Sequence, residues 1–149
     1  MVIHPFTDLY AVSPQISPVD LSAIKSAGYS VLIDNRPDSE VTPDLQASEI
    51  GRAARALGLQ FVANPVVGSA ITVDNIAIQR ELIQAESCPV LAYCASGMRS
   101  ALVWAMAEVA RYSVDELLGM TARQGYQLDQ FRPQLQILAK QTLNGRTPP

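Results

Sequence analysis

The segment that most restricts the fold of this chain is a short apolar run followed by a small turn that contains glycine. Residues 90–93 are apolar throughout, and the next seven residues are CASGMRS. An apolar run of this length without polar alternation is typical of a strand buried on both faces of a parallel sheet. The apolar pattern over about residues 99–111 predicts a helix directly after the turn. A strand, a turn and a helix in this order indicate an α/β domain.

The rest of the chain repeats this alternation of strand and helix. Strands are predicted at residues 9–12, 30–34 and 59–63, and helices at residues 17–27, 44–57, 72–86, 99–111, 113–123 and 128–143. The sequence therefore predicts one domain over residues 1–149, with a central, mostly parallel sheet of about four strands and helices on both faces. The C-terminal third is expected to be helical, and the tail at residues 144–149 to be frayed.

Composition and charge restrict the class of protein. Of the 149 residues, 48% are hydrophobic and 17% are charged, which is enough apolar material for the core of one domain. The formal net charge of −3 argues against a general nucleic-acid binder. No apolar run reaches the roughly 18 residues of a membrane span, and residues 1–10 lack the pattern of a secretory signal. We expect neither a nucleic-acid nor a membrane partner.

The two cysteines are expected to be free thiols. Cys88 and Cys94 flank the predicted strand, so their Cα atoms should lie roughly 20 Å apart, whereas a disulfide needs a separation below about 7 Å. Two such cysteines and one histidine also argue against a structural zinc site. We therefore expect no metal or cofactor, and a reducing compartment such as the cytoplasm. Cys88 is expected to pack in the core.

The turn at residues 94–100, called the anion loop below, has the residues of a nucleophile that binds an anion. Ligands of parallel sheets bind outside the carboxyl ends of the strands, where Cys94 is predicted to lie. The exposed amides and the dipole of a helix N-terminus attract negative charge, and the planar guanidinium of Arg99 suits an oxyanion. These groups favour the thiolate form of Cys94, so Cys94 and Arg99 are the predicted catalytic residues.

Other side chains are expected to support this site. Arg36 would either widen the positive site or pair with Glu40, and Asp34 would either orient Arg99 or cap a nearby amide. Asp74 is expected early in a helix, where it favours the helix N-terminus; a role as general acid is the alternative. Further anion contacts are predicted from the remaining residues of the loop, with Ser100 also donating to the Cys94 sulfur: Ala95, Ser96, Gly97, Met98 and Ser100.

Two segments of the chain, VLIDNRPDSE at residues 31–40 and YCASGMRS at residues 93–100, resemble a bacterial family of beta-lactamase-hydrolase-like, phosphatase-like domains. The order of elements through the Gly125-Tyr126 turn fits this family as well. The resemblance implies a fold similar to that of protein tyrosine phosphatases and a small anionic substrate. Family members stand alone or are fused to metallo-beta-lactamase-type sulfur dioxygenases, so a sulfur dioxygenase is an expected partner. Members have been called both phosphatases and sulfurtransferases.

The same two segments are also similar to those of rhodaneses, which carry an Ile-Asp-x-Arg strand and a Cys-x4-Arg loop. Residues 59–67 depart from the rhodanese pattern, and no Gly-His-Ile-x-Gly-Ala element is present in the chain. The resemblance to rhodaneses therefore concerns the chemistry of the loop more than the fold.

Two features distinguish sulfur transfer from phosphate hydrolysis. Tyrosine phosphatases resemble one another in a His-Cys-x5-Arg loop, whereas here four residues separate Cys94 from Arg99, and Tyr93 replaces the histidine. A shorter loop suits a persulfide sulfur better than a tetrahedral phosphate. The segment NPVVGSA at residues 64–70, where a phosphatase would place its general acid, contains no carboxylate, and a thiolate leaving group needs no acid.

These features favour transfer of sulfane sulfur, from thiosulfate or a persulfide to a thiol acceptor, through a persulfide at Cys94. The first alternative is a phosphatase that hydrolyses phosphomonoesters through a phosphocysteine at the same residue. The second alternative is a module that binds an anion, or senses redox state through Cys94, without turnover.

Overall fold

The computed structural model describes residues 1–84 and 88–143, and it contains a five-stranded, mostly parallel sheet. The strands lie in the order β1-β2-β5-β3-β4, and they are β1 (His4–Thr7), β2 (Tyr10–Ser13), β3 (Val31–Asp34), β4 (Gln60–Ala63) and β5 (Val90–Tyr93). Strand β5 is central and pairs in parallel with β2 and β3. All four of its residues are buried, as the unbroken apolar run predicts.

The sheet has one strand more than the four expected from sequence. Strand β1 pairs antiparallel with β2 at the edge of the sheet, and its register shifts between Pro5 and Thr7. Proline cannot donate to a ladder and is confined to edges and strand starts. A strand of four residues with a proline and an irregular register has no alternating pattern long enough to detect.

The six predicted helices are present, with shifted ends. They are α1 (Leu21–Ser26), α2 (Ala47–Ala56), α3 (Val73–Gln84), α4 (Met98–Ala107), α5 (Val114–Arg123) and α6 (Arg132–Leu143). The start predicted at residue 44 is wrong because residues 43–45 form a 3-10 turn, and the Ala47 amide at the start of α2 donates to Asp38 Oδ1 at 2.8 Å. The predicted helix end at residue 86 and the tail at residues 144–149 lie outside the described residues.

Apolar side chains pack against both faces of the sheet. Val90 and Ala92 of β5 belong to a cluster with α3, α4 and α5, whereas Leu91 and Tyr93 belong to a cluster with α1 and α2. Successive side chains of a strand point to opposite faces, so β5 contributes to both layers. Trp104 and Met106 of α4 are buried, and Cys88, which forms no disulfide, packs against the first cluster.

Candidate active site

Cys94 lies directly after β5, at the carboxyl end of the central strand, and its side chain is buried. The backbone N–H of Gly97 donates to Cys94 Sγ at 3.1 Å. Helix α4 begins one residue later, at Met98. The loop therefore turns back so that an amide at the N-terminus of α4 faces the sulfur, and an amide in this arrangement stabilises a thiolate.

The anion loop is supported from the C-terminal part of the chain. The Tyr126 hydroxyl donates to the carbonyl oxygen of Ser96 at 2.9 Å. Two rings of β1 pack edge-on against Tyr126, with centroid distances of 5.5 Å for His4 and 6.0 Å for Phe6. The edge strand and the turn after α5, which supplied no predicted site residue, thus both contribute to the support of the loop. His4 itself is partly buried.

Arg99 is oriented by Glu40, a partner that sequence reasoning did not assign to it. Its Nη1 and Nη2 atoms donate to the two carboxylate oxygens of Glu40, each at 2.8 Å, and Nη1 also donates to the Val66 carbonyl oxygen at 2.9 Å. A two-pronged pair of this kind fixes the plane of a guanidinium. Hydrogen bonds from Arg99, and secondarily from Arg36, hold the pKa of Glu40 below its usual range.

Of the two roles expected for Arg36, the structure has the pairing with Glu40. Arg36 Nε donates to Glu40 Oε1 at 3.2 Å and Arg36 Nη1 donates to Gln15 Oε1 at 3.2 Å. The backbone N–H of Gln15 in turn donates to the Ala95 carbonyl oxygen of the loop at 3.1 Å. Two guanidinium groups share one carboxylate, so these three side chains together carry one positive charge, and two aspartates, at positions 34 and 38, lie on the same rim. The guanidinium groups beside the loop favour an anionic ligand.

Asp34 caps an amide and does not orient Arg99. Its Oδ1 atom accepts from the backbone N–H of Arg36 at 2.8 Å, and only 3% of the residue is exposed. Burial raises the pKa of the Asp34 carboxyl to about 6, although the bond from Arg36 opposes this change. The hydroxyl of Tyr93, the residue that stands in the place of the phosphatase histidine, is buried beside this carboxyl.

Two other predicted side chains take positions away from the sulfur. The Ser100 hydroxyl, expected to donate to Cys94, donates instead to Asn35 Oδ1 at 2.9 Å and is buried. Asp74 is exposed in the first turn of α3, the place expected from its helix-starting role. Within the loop, Ala95 and Ser96 are exposed, Met98 is half-buried, and the Ser96 hydroxyl accepts from the Met98 amide at 3.3 Å.

A mostly apolar cleft of about 330 Å³ lies beside Arg36 and the segment that holds Arg99 through a carbonyl oxygen. It lies between the carboxyl ends of β3 and β4 and the start of α2, and two of its residues, Pro65 and Val67, flank the residue whose carbonyl binds Arg99. Its lining is Asp34, Arg36, Pro37, Asp38, Ser39, Ala47, Ala63, Pro65 and Val67. The cleft has room for a small organic group.

Within residues 1–84 and 88–143, no three histidine, cysteine or acidic side chains converge as a metal site would require. None of the helices in the same part of the chain has the length and apolar character needed to cross a membrane.

Comparison with known proteins identifies similar sequences. The profile of the family described as "Beta-lactamase hydrolase-like protein, phosphatase-like domain" matches residues 3–111. A beta-lactamase hydrolase-like protein of Xylella fastidiosa (strain Temecula1) is 32% identical over an alignment of 146 positions that covers 95% of this chain and 33% of that protein. This chain thus spans about a third of the length of the curated relatives it matches first.

Comparison of structures shows the fold. A protein from Neisseria meningitidis described as a candidate phosphatase superposes with a TM-score of 0.79 at 30% identity, over 93% of this chain and 99% of that chain. PTPMT1 superposes with a TM-score of 0.75 at 16% identity, over 97% and 98% of the two chains, a likeness that concerns the fold alone. These comparisons confirm the α/β fold similar to protein tyrosine phosphatases that the resemblance implied.

Proposed function

Because this chain belongs to the family of the beta-lactamase hydrolase-like protein, phosphatase-like domain, we propose that it is a cysteine-dependent phosphatase that hydrolyses phosphate monoesters. The observation that carries this proposal is the anion loop, in which the Gly97 amide donates to Cys94 Sγ while Glu40 orients the Arg99 guanidinium beside it. The sequence alone favoured sulfur transfer. The comparisons support the phosphatase alternative better, because the similar proteins are phosphatase-like.

The proposed reaction has two displacements at phosphorus. The Cys94 thiolate attacks the phosphorus atom, the S–P bond forms, and the bond from phosphorus to the ester oxygen breaks, so that the leaving oxygen takes a proton from solvent. Water then attacks the phosphocysteine, the S–P bond breaks, and inorganic phosphate and the thiolate are released. Loop amides and Arg99 would bind the nonbridging oxygens, where preorganised donors stabilise the developing charge.

Transfer of sulfane sulfur is the second candidate, and the four-residue spacing between Cys94 and Arg99 favours it. In that reaction the thiolate attacks the outer sulfur of thiosulfate, the S–S bond breaks, and sulfite leaves with the bonding electron pair. The Cys94 persulfide then gives its outer sulfur to a thiolate acceptor. Both reactions use the same nucleophile, so the adduct on Cys94 and the released product distinguish them.

The decisive experiment compares both substrate classes on one preparation. The protein would be incubated with an aryl phosphate and, separately, with thiosulfate and a thiol, while product release and intact mass are followed. We expect release of the phenol and of inorganic phosphate, with a phosphoryl adduct trapped on Cys94 at short times. Cys94→Ser should abolish turnover, whereas Cys88→Ser is the matched control because Cys88 is partly buried before the start of β5 and the loop follows its end. Sulfur incorporation without phenol release would overturn the proposal in favour of sulfur transfer.

We propose a sulfur dioxygenase as the partner and a reducing, cytoplasmic setting, in which the Cys94 thiol stays free. A metallo-beta-lactamase-type sulfur dioxygenase added in equal amount should form a complex detectable by sedimentation or change the turnover of the small anionic substrate. If neither the sedimentation nor the turnover of the substrate changed, the sulfur dioxygenase would not be a partner.

A further inference from the structure

A network of buried polar side chains lies beneath the anion loop. Each member is at most 8% exposed, and the members are Tyr10, Asn35, Asn64, Asn75, Gln79 and Ser100. Burying an amide or hydroxyl is costly unless its hydrogen bonds are made. The members of this network must therefore hold one another in fixed positions, which apolar side chains in the same place would not do.

Gln79 of α3 is the centre of this network. Its Nε2 atom donates to the Tyr10 hydroxyl at 2.9 Å and to Asn35 Oδ1 at 3.2 Å. Its Oε1 atom accepts from Asn35 Nδ2 at 3.2 Å and from Asn64 Nδ2 at 2.8 Å. Both donors and both lone pairs of the side-chain amide are thus used, so Gln79 connects the ends of β3 and β4 with β2.

One branch of the network reaches the residue that follows Arg99. The Tyr10 hydroxyl donates to the Ser100 carbonyl oxygen at 3.0 Å, and the Ser100 hydroxyl donates to Asn35 Oδ1 at 2.9 Å. Ser100 is therefore bonded through its backbone and its side chain. This branch determines where the first turn of α4 places the backbone of Arg99.

The other branch reaches the carbonyl that accepts from the Arg99 guanidinium. Asn75 Nδ2 donates to Asn64 Oδ1 at 2.7 Å and to the Pro65 carbonyl oxygen at 3.0 Å. The backbone N–H of Val66 donates to the Asn35 carbonyl oxygen at 2.9 Å, and the Val66 carbonyl accepts from Arg99 Nη1. The network thus holds both the backbone and the head group of Arg99.

We propose that Gln79 is a positioning residue that sets the Arg99 guanidinium for binding of the phosphoryl group. The phosphoryl ligand and the kinetic test depend on the proposed function, whereas the positioning of Arg99 by Gln79 does not. Without the Gln79 amide, Asn35 and Asn64 would each lose a partner inside the core. The segments that place Ser100 and Val66 would then shift, and Arg99 would be displaced without being touched directly.

The test is a double-mutant cycle of Gln79→Met with Arg99→Lys. Gln79→Met keeps the length of the side chain and removes its amide. We expect the KM for an aryl phosphate and the inhibition constant of inorganic phosphate to rise about tenfold, the effect of losing a buried hydrogen bond. In the Arg99→Lys background, Gln79→Met should raise the same two constants by less than about twofold, because the guanidinium that Gln79 positions is already lost.

Ser113→Ala controls for general destabilisation. Ser113 accepts from the Glu116 amide as the cap of α5, and residues 101–112 separate it in sequence from the loop. A lower Tm with unchanged phosphate binding is expected for this variant. Additive effects of Gln79→Met and Arg99→Lys would overturn the proposal, as would a Gln79→Met protein that behaves like Ser113→Ala.

If Gln79→Met does not fold, Tyr10→Phe replaces it in the cycle, because it removes only the hydroxyl that joins Gln79 to Ser100. The side-chain nitrogen resonances of Arg99 supply a readout that needs no turnover. Unchanged resonances in Gln79→Met or Tyr10→Phe would overturn the positioning role. A wild-type protein that hydrolyses no phosphate ester would instead overturn the proposed function, and the resonances would still decide the role of Gln79.

Discussion

The hydroxyl of Tyr126 occupies the space that a side chain at Gly97 would need. Gly97 has a φ of 99°, and a Cβ atom built there would lie 2.2 Å from Tyr126 Oη and 2.9 Å from Cζ. The left-handed backbone directs the Gly97 amide to Cys94 Sγ, and Tyr126 packs where only glycine leaves room. A residue after α5 therefore helps to set the shape of a loop that follows β5.

Tyr126→Phe keeps the ring and removes the bond to the Ser96 carbonyl. We expect kcat/KM for an aryl phosphate to fall by about threefold to tenfold, because the loop loses one constraint while its packing remains. The larger change Gly97→Ala should lower kcat/KM by about a hundredfold, because alanine is strained at this left-handed φ and its Cβ would clash with the Tyr126 hydroxyl. Steady-state kinetics measure both effects. Tyr112→Phe, beyond the far end of α4, is the matched control, and an equal loss in that variant would contradict the assignment.

Glu40→Gln keeps the shape of the side chain that orients Arg99 and removes its charge. We expect kcat/KM to fall about tenfold, because the guanidinium loses a partner that fixes its plane. Glu49→Gln, which removes the charge from an exposed pair with Arg52, should leave kinetics unchanged. Equal rates for Glu40→Gln and the wild type would show that Val66 alone orients Arg99.

The lowered pKa of Glu40 also predicts a pH dependence of the Arg99 pairing. A carboxyl whose pKa is lower in the folded state keeps its pairing above its ordinary value, here 4.5, and loses it only as the pH falls through the lower folded value. The side-chain nitrogen resonances of Arg99 should therefore stay constant from neutral pH down past 4.5 and move only below it. A change centred above pH 5 would contradict the pairing.

The reaction is expected to depend strongly on the leaving group. The carboxylates of the rim have other partners: Asp34 accepts from the Arg36 amide, Asp38 from the Ala47 amide, and Glu40 from two arginines. With the leaving oxygen protonated by solvent, kcat/KM should fall by roughly threefold to tenfold for each unit of pKa of the leaving phenol. Asp74→Asn should show the same dependence of kcat/KM on the pKa of the leaving phenol as the wild type. If Asp74→Asn slowed only the esters of weakly acidic phenols, Asp74 would be the general acid.

The buried Asp34 carboxyl predicts a loss of stability as the pH rises. Its pKa increases from 3.8 to about 6 on folding, so the folded state favours the protonated form. The free energy of unfolding should decrease between about pH 4 and pH 6 and then level off, by an amount of the order of 1–3 kcal/mol. Asp34→Asn retains an oxygen for the Arg36 amide and removes the titration. Urea unfolding of both proteins from pH 4 to pH 8 should show a smaller decrease in Asp34→Asn than in the wild type, the remainder coming from Glu108, whose pKa is also raised by burial.

Local sequence pattern was enough to predict the layered fold, and it selected Cys94 as the candidate nucleophile. The apolar run of β5 can be buried only between two layers, and small residues with an arginine after it indicate an anion-binding turn, so the pattern by itself identifies Cys94 and Arg99. Strand β1 could not be predicted, because four residues that include a proline are too short to show the alternation of apolar and polar residues that identifies a strand. The preference for sulfur over phosphate rested on the loop spacing and on the absence of a carboxylate from residues 64–70, and neither feature reports the chemistry of related proteins.

The sequence by itself determined which residues carry reactive or charged groups and which segments must be buried, since apolar periodicity and glycine are local properties of the chain. Only the tertiary structure decided which groups meet. Glu40 and Arg99 are paired across 59 positions, and Ser100 donates to Asn35 across 65 positions rather than to the nearby sulfur. Such partners are set by the order of strands in the sheet and by the need to satisfy buried polar groups, which no local pattern encodes.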